Sequence, residues 1–200
     1  MADRYTYVPL IGVFVAAVWA CAEIAGDSAR RRVAAAVVSV VVAGILIPLS
    51  WIQIGTWVDT RSVWTHAIQV DPANGMAHFN LGVELYQNGD FEGAARSQTE
   101  AVRTLRKGNT LRADAGIALG NAYMKLQRYE DAANAYTGAV ETQSHLNDTA
   151  GAATAHCSLA YALLAQNRHT DATAEFNEAL RLNPDLGPAQ QGLDRATGKQ

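Results

Sequence analysis

Cysteine is nearly absent from this 200-residue chain. Its two copies, Cys21 and Cys157, fall in regions of different composition and have no paired spacing. That excludes a zinc ribbon or a dithiol redox motif and leaves two small buried residues as the expectation. Histidine is as uninformative: His66, His78, His145, His156 and His169 are scattered, with no HxxxH or HExxH arrangement. We expect no metal and no cofactor. Charge is scarce too, at 18% of residues with a net of -3, and the bases form no patch interleaved with aromatics, which removes nucleic acid as a partner. No Gly/Ser-rich or Pro-rich linker divides the chain.

What the chain does have is an abrupt change of composition. Between Tyr7 and Ile54 almost every residue is Val, Ala, Ile, Leu, Gly or Trp, interrupted only by EIAGDSARRR, whereas beyond Trp57 charges and amides recur every few positions. A bilayer core takes roughly 20 apolar residues as a helix. Residues 5–25 and 33–54 each supply that length, so residues 1–56 read as a transmembrane hairpin. The leader, with Asp3 beside Arg4, lacks the positive charge of a signal peptide. In the second run, VAAAVVSVVVAGILIPLSWI, β-branched residues cover every face, as lipid permits and water does not. Arg30, Arg31 and Arg32 outnumber Asp27 in the connector, which places the connector in the cytoplasm and the polar half of the chain in the periplasm or lumen. Glu23, close to the connector, is expected to reach the headgroups. The Ala, Val and Arg usage suggests a bacterial inner membrane.

The polar half repeats itself. AHFNLGVELYQNGDFEGAARSQTEAV from Ala77, AGIALGNAYMKLQRYEDAANAYTGAV from Ala115 and AHCSLAYALLAQNRHTDATAEFNEAL from Ala155 align at spacings of 38 and 40 residues. Gly82, Gly120 and Ala160 are small where one helix must admit another, with Ala94, Ala132 and Ala172 expected to answer them. Phe91, Tyr129 and His169 open the second helix of each unit. This pattern resembles the tetratricopeptide repeat, two antiparallel helices per unit with a usual period of about 34. The predicted fold is therefore all-α: two transmembrane helices, then a short superhelix of antiparallel pairs. Its parts are a half-repeat at 57–73, repeats at 74–106, 113–145 and 153–185, and a cap helix at 186–196. The surplus residues at 106–112 and 144–151 are expected to lengthen helices or loops and to be exposed.

The order of segments, from ADRYTYVPLIGVF to WIQIGTWVDTRSVWTHAIQVDPANGMAHFNLG, also resembles the C-terminal part of membrane protein O-mannosyltransferases that carry such repeats. That resemblance implies that the chain continues a larger membrane design and that Arg4, Tyr5 and Tyr7 contact a lipid phosphate at the outer surface. The chain has no DxD pair, only the separate Asp3 and Asp59, so by itself it is expected not to catalyse transfer. Its expected role is a membrane-anchored module for protein–protein interaction. The alternative is a part of a glycosyltransferase, or a partner to one, that presents acceptor proteins. In the repeat family the first helix of each pair lines a concave groove. By helical spacing that groove would hold Phe79, Val83, Tyr86, Ile117, Asn121, Met124, Lys125, Cys157, Tyr161 and Leu164, a surface suited to an apolar or mixed peptide rather than an acidic C-terminus.

Overall fold

The computed structural model describes residues 29–55 and 60–198. The first predicted span at 5–25, together with Glu23, Cys21 and the proposed lipid contacts Arg4, Tyr5 and Tyr7, lies outside the described residues. The chain divides into two units, Met1–Thr56 and Trp57–Gln200.

The described part of the first unit is one helix, α1 (Ala29–Gly55). It starts before the predicted Val33 because Arg30, Arg31 and Arg32 are good helix formers and join its first turn rather than a connecting loop. Its stretch Ala29–Pro48 has a mean hydropathy of 1.9 and is, among the described residues, the one helix long and apolar enough to cross a membrane. The large side chains of α1 are open to the surroundings: Val40 is 72% exposed and Ile47 63%. Its polar Ser39 closes on itself, the hydroxyl donating to the Ala35 carbonyl at 2.9 Å, which leaves no dangling donor at that position.

The second unit is helical throughout its described residues: α2 (Thr60–Val70), α3 (Gly75–Gln87), α4 (Phe91–Thr104), α5 (Thr110–Lys125), α6 (Tyr129–His145), α7 (Thr149–Ala165), α8 (His169–Leu182) and α9 (Gly187–Thr197). Each helix packs on the next in the chain, and α3, α5, α7 and α9 also touch in succession. The helices start where short acceptors can cap them. Asn74 accepts from the Ala77 N–H at 3.0 Å, Asp90 from Gly93 at 2.8 Å and Asp148 from Gly151 at 2.9 Å. The turn within each pair needs one residue in the left-handed region. Gly89 takes it at φ 82°, while Gln127 and Asn167, at the equivalent places, take it at 57° and 61°.

The surplus residues are divided between connections, at 106–109 and 146–148, and helices, at 110–112, 144–145 and 149–151. Caps at Asn109 and Asp148 start α5 at Thr110 and α7 at Thr149, ahead of the predicted 113 and 153. Arg112, predicted exposed, is half-buried instead. Its guanidinium donates to the Val102 and Leu105 carbonyls, acceptors that the end of α4 would otherwise leave unmet.

The core is built mainly of alanine. Ala101, Ala113, Ala115, Ala122, Ala132, Ala155, Ala160, Ala172 and Ala179 are each 0% exposed. So small a side chain brings helix axes close, and the remaining volume is supplied by a few large groups. Leu85, Leu119, Ala94, Ala95 and Ala122 form a small cluster toward the start of the stack. A larger one surrounds Tyr136 and Phe176 and reaches Ala189 on α9. Gly82 and Gly120 do face the second helix of their pairs, but the groups they admit are not the predicted Ala94 and Ala132. A Cβ at Gly82 would collide with the Gln98 side chain, and one at Gly120 with the ring of Tyr136.

Candidate functional site

Phe79, Val83 and Tyr86 follow one another at intervals of four and three residues on α3, which sets them on a single face of that helix. Ile117, Asn121 and Met124 with Lys125 repeat the interval on α5, as do Cys157, Tyr161 and Leu164 on α7. These residues do not form one uniform surface. Ile117, Met124, Tyr161 and Leu164 are half-buried against the larger core cluster, and Cys157 is buried, its thiol pushed up from the ordinary value by burial. Tyr161 is further occupied: its ring meets Phe176 edge-on at 5.1 Å, and its hydroxyl donates to the Pro188 carbonyl of α9 at 2.8 Å. The cap helix thus takes up the end of the row.

An open cleft of about 300 Å³ lies between α3 and α5, lined by Gly82, Val83, Tyr86, Gln87, Gln98, Ala118 and Asn121. It brings together three of the predicted residues, Val83, Tyr86 and Asn121. Tyr86 is held by an edge-on contact with Phe91 at 5.2 Å, so the wall is fixed before any ligand arrives. Asn121 is fixed from below, its Oδ1 accepting from the Tyr136 hydroxyl at 2.6 Å. Burial, and then the neighbouring Tyr86, hold that hydroxyl well above the usual tyrosine range, so it stays a donor. The walls carry apolar surface and amides, with no carboxylate, amine or thiol among the lining residues.

The sequence reading missed Gln98, Gln87 and Ala118. A signal for Gln98 exists: it precedes Tyr136 by 38 residues, and Tyr136 precedes Phe176 by 40, the repeat spacings themselves. A second cleft, of about 220 Å³, is polar and includes Gln143, Asp148, His156, Glu178 and Arg181. Beside it the His156 Nδ1 stands 2.6 Å from a Glu175 carboxylate oxygen. Among the described residues no group of three or more His, Cys, Asp or Glu is arranged to hold a metal ion.

A family model described as tetratricopeptide repeat matches residues 61–109 and 117–186. No curated protein matches the chain. Among solved structures, MamA is 22% identical, with a TM-score of 0.58 over 68% of this chain and 75% of its own. The TPR domain of Arabidopsis OM64 is 20% identical, with a TM-score of 0.54 over 63% of this chain and 96% of the domain. The second TPR domain of human RPAP3, solved in complex with the HSP70 peptide SGPTIEEVD, is 21% identical, with a TM-score of 0.54 over 62% of this chain and 94% of that one. At these identities the likeness is one of fold. None of these descriptions speaks of glycosyl transfer.

Proposed function

The chain belongs to the tetratricopeptide repeat family and carries a protein-interaction module, and we propose that it is a membrane-anchored one whose ligand is an extended, largely apolar peptide. The observation that carries the reading is the cleft between α3 and α5, with Val83, Tyr86 and Ala118 as apolar walls and amides at its edges. The peptide bound to the RPAP3 domain ends in two glutamates, a valine and an aspartate. An acidic tail of that kind needs several cations. Along the row of first-helix residues from Phe79 to Leu164, Lys125 is the one base. Apolar contact, with hydrogen bonds to the peptide backbone, is what this surface offers.

Anchoring is supported by α1, whose exposed valines and isoleucines match hydrocarbon rather than water. With Arg30, Arg31 and Arg32 at its start, the positive-inside tendency sets that end in the cytoplasm. The repeats, which come after its other end, then face the periplasm of a bacterial inner membrane, or a lumen. Lipids are accordingly partners of α1.

Selection from a displayed library of random peptides against the full chain in detergent micelles tests the reading. The expected result is enrichment of peptides with apolar positions and its loss in Val83→Glu, which places a charge on the wall of the cleft. Enrichment of acidic C-termini, or a selection indifferent to Val83→Glu, refutes the reading.

A further inference from the structure

The second repeat departs from its two sisters at one place on its second helix. In the first repeat Glu100 pairs with Arg103 at 2.6 Å, and in the third Glu178 pairs with Arg181 at 2.6 Å. At the repeat spacings of 38 and 40 residues, the same register in α6 falls on Gly138 and Glu141. The acid is gone from the first position, and an acid has replaced the base at the second. A glycine inside a helix costs stability relative to alanine, and crowding does not call for one here: a Cβ at Gly138 would meet nothing within 4 Å. Gly138 instead lines an open cavity of about 490 Å³.

Basic side chains reach this cavity from three elements. Lys107 comes from the connection between α4 and α5, Arg112 from α5 and His145 from the end of α6. Arg112 is half-buried and held in place, its Nη1 donating to the Val102 and Leu105 carbonyls, which leaves the edge formed by Nε and Nη2 without a protein acceptor. Among the described residues Lys107 and Arg112 are in no ion pair, whereas Arg103, Arg128, Arg168 and Arg181 each pair with a carboxylate three residues away. A guanidinium edge, an ammonium and a ring N–H are three separate donor groups; a carboxylate has two oxygens to give them and a phosphate monoester has three. Glu141 lines the same cavity and is an acceptor, so it repels an anion that offers nothing else and receives one that brings a hydroxyl. We propose that the cavity binds a phosphate monoester carrying a hydroxyl, with the phosphate among Lys107, Arg112 and His145 and the hydroxyl donating to Glu141. The volume exceeds what a phosphate group alone fills and takes an ester of glycerol or sugar size. None of these residues lines the cleft between α3 and α5, so the site stands or falls apart from the peptide reading.

Such an ester is either a soluble compound or the head of a lipid. Titration calorimetry of the full chain in maltoside micelles, with glycerol 3-phosphate and with 1-octanoyl-glycerol 3-phosphate, tests the site and separates the two sources. Saturable binding is expected; a tighter acyl ester assigns the ligand to lipid, and otherwise it is soluble. Lys107→Gln is expected to weaken binding on the order of tenfold, the loss of one charge-assisted hydrogen bond. Gly138→Glu restores the side chain of the sister repeats, places a carboxylate in the cavity and is expected to abolish binding. Gly138→Ala, for which there is room, keeps it, and a melting temperature no lower than that of the parent chain in each variant shows the fold intact. Sulfate bound as tightly as the esters, binding that survives either Lys107→Gln or Gly138→Glu, or no saturable binding of either ester would each overturn the proposal.

Discussion

In α1 the valines at positions 37, 38, 40 and 41 are between 56% and 72% exposed, whereas in the repeats Ala101, Ala132 and Ala172 are 0% exposed. The more apolar region buries less. What distinguishes the two is the arrangement of small residues, not the amount of hydrophobicity. In the repeats, Ala and Gly recur where two helices meet, so that backbones approach and even modest side chains leave water. In α1 the β-branched residues cover all faces, and a helix of that kind has no single face to give to a protein neighbour. The repeats carry their solvent-excluded interior within themselves. In the proposed reading, lipid takes that part for α1.

The hardest way to break this contrast is at Phe176, the largest fully buried side chain of the stack. Phe176→Ala is expected to cost about 3–5 kcal/mol of repeat stability, seen as a fall in melting temperature by circular dichroism, while the chain stays in carbonate-washed membranes. A variant that melts as before shows that alanine packing alone sustains the core. The reverse experiment charges the other region. Val40→Lys with Val41→Lys should oppose insertion by about 2.5–3.5 kcal/mol for each lysine and release the protein from washed membranes, with the repeats melting at an unchanged temperature. A drop in that temperature means α1 is covered by protein and the contrast is false.

The smallest effect concerns pH. The helix α1 has no carboxylate of its own to titrate between pH 3 and 7, whereas the repeats have several. Asp114, on α5, has its carboxyl raised above the ordinary range, first by burial and then by the charge of Asp148. The native state thus holds its proton more tightly than the unfolded chain. This contribution is present at low pH and is lost as pH rises from the usual carboxylate value through the raised one. Asp114→Asn is expected to raise the melting temperature at pH 7, by less than about 0.5 kcal/mol in stability, and to leave it unchanged at pH 3. An equal gain at both values assigns the effect to something other than charge.

The phase of the repeats is legible in the sequence because close helix contact admits few residue types. Leu81 with Gly82, Leu119 with Gly120 and Leu159 with Ala160 mark the first helix wherever it occurs. The ends of α5 and α7 are less legible. Apolar pattern locates the buried face of a helix, but its first turn is decided by a cap, and Asn109 and Asp148 lie in polar stretches that also read as loop. The groove residues are legible as a face, since spacing alone defines a face. Their separate fates are not: Tyr161 is claimed by α9 and Tyr86 is not, and only the neighbouring helix decides this. Gln98 is hidden for a different reason, because an alignment of apolar positions passes over the one repeat where the equivalent residue is polar.

The two core clusters are unequal, and the cleft borders the smaller one. In a stack whose units touch mainly their neighbours, an end with less core frays first. A ligand seated between α3 and α5 bridges the first repeat to the second, and so acts as a clasp on the loose end. Its arrival is recorded less as a change of shape than as a slowing of amide exchange in α3 and α4, with the C-terminal repeats, already shut, taking no part.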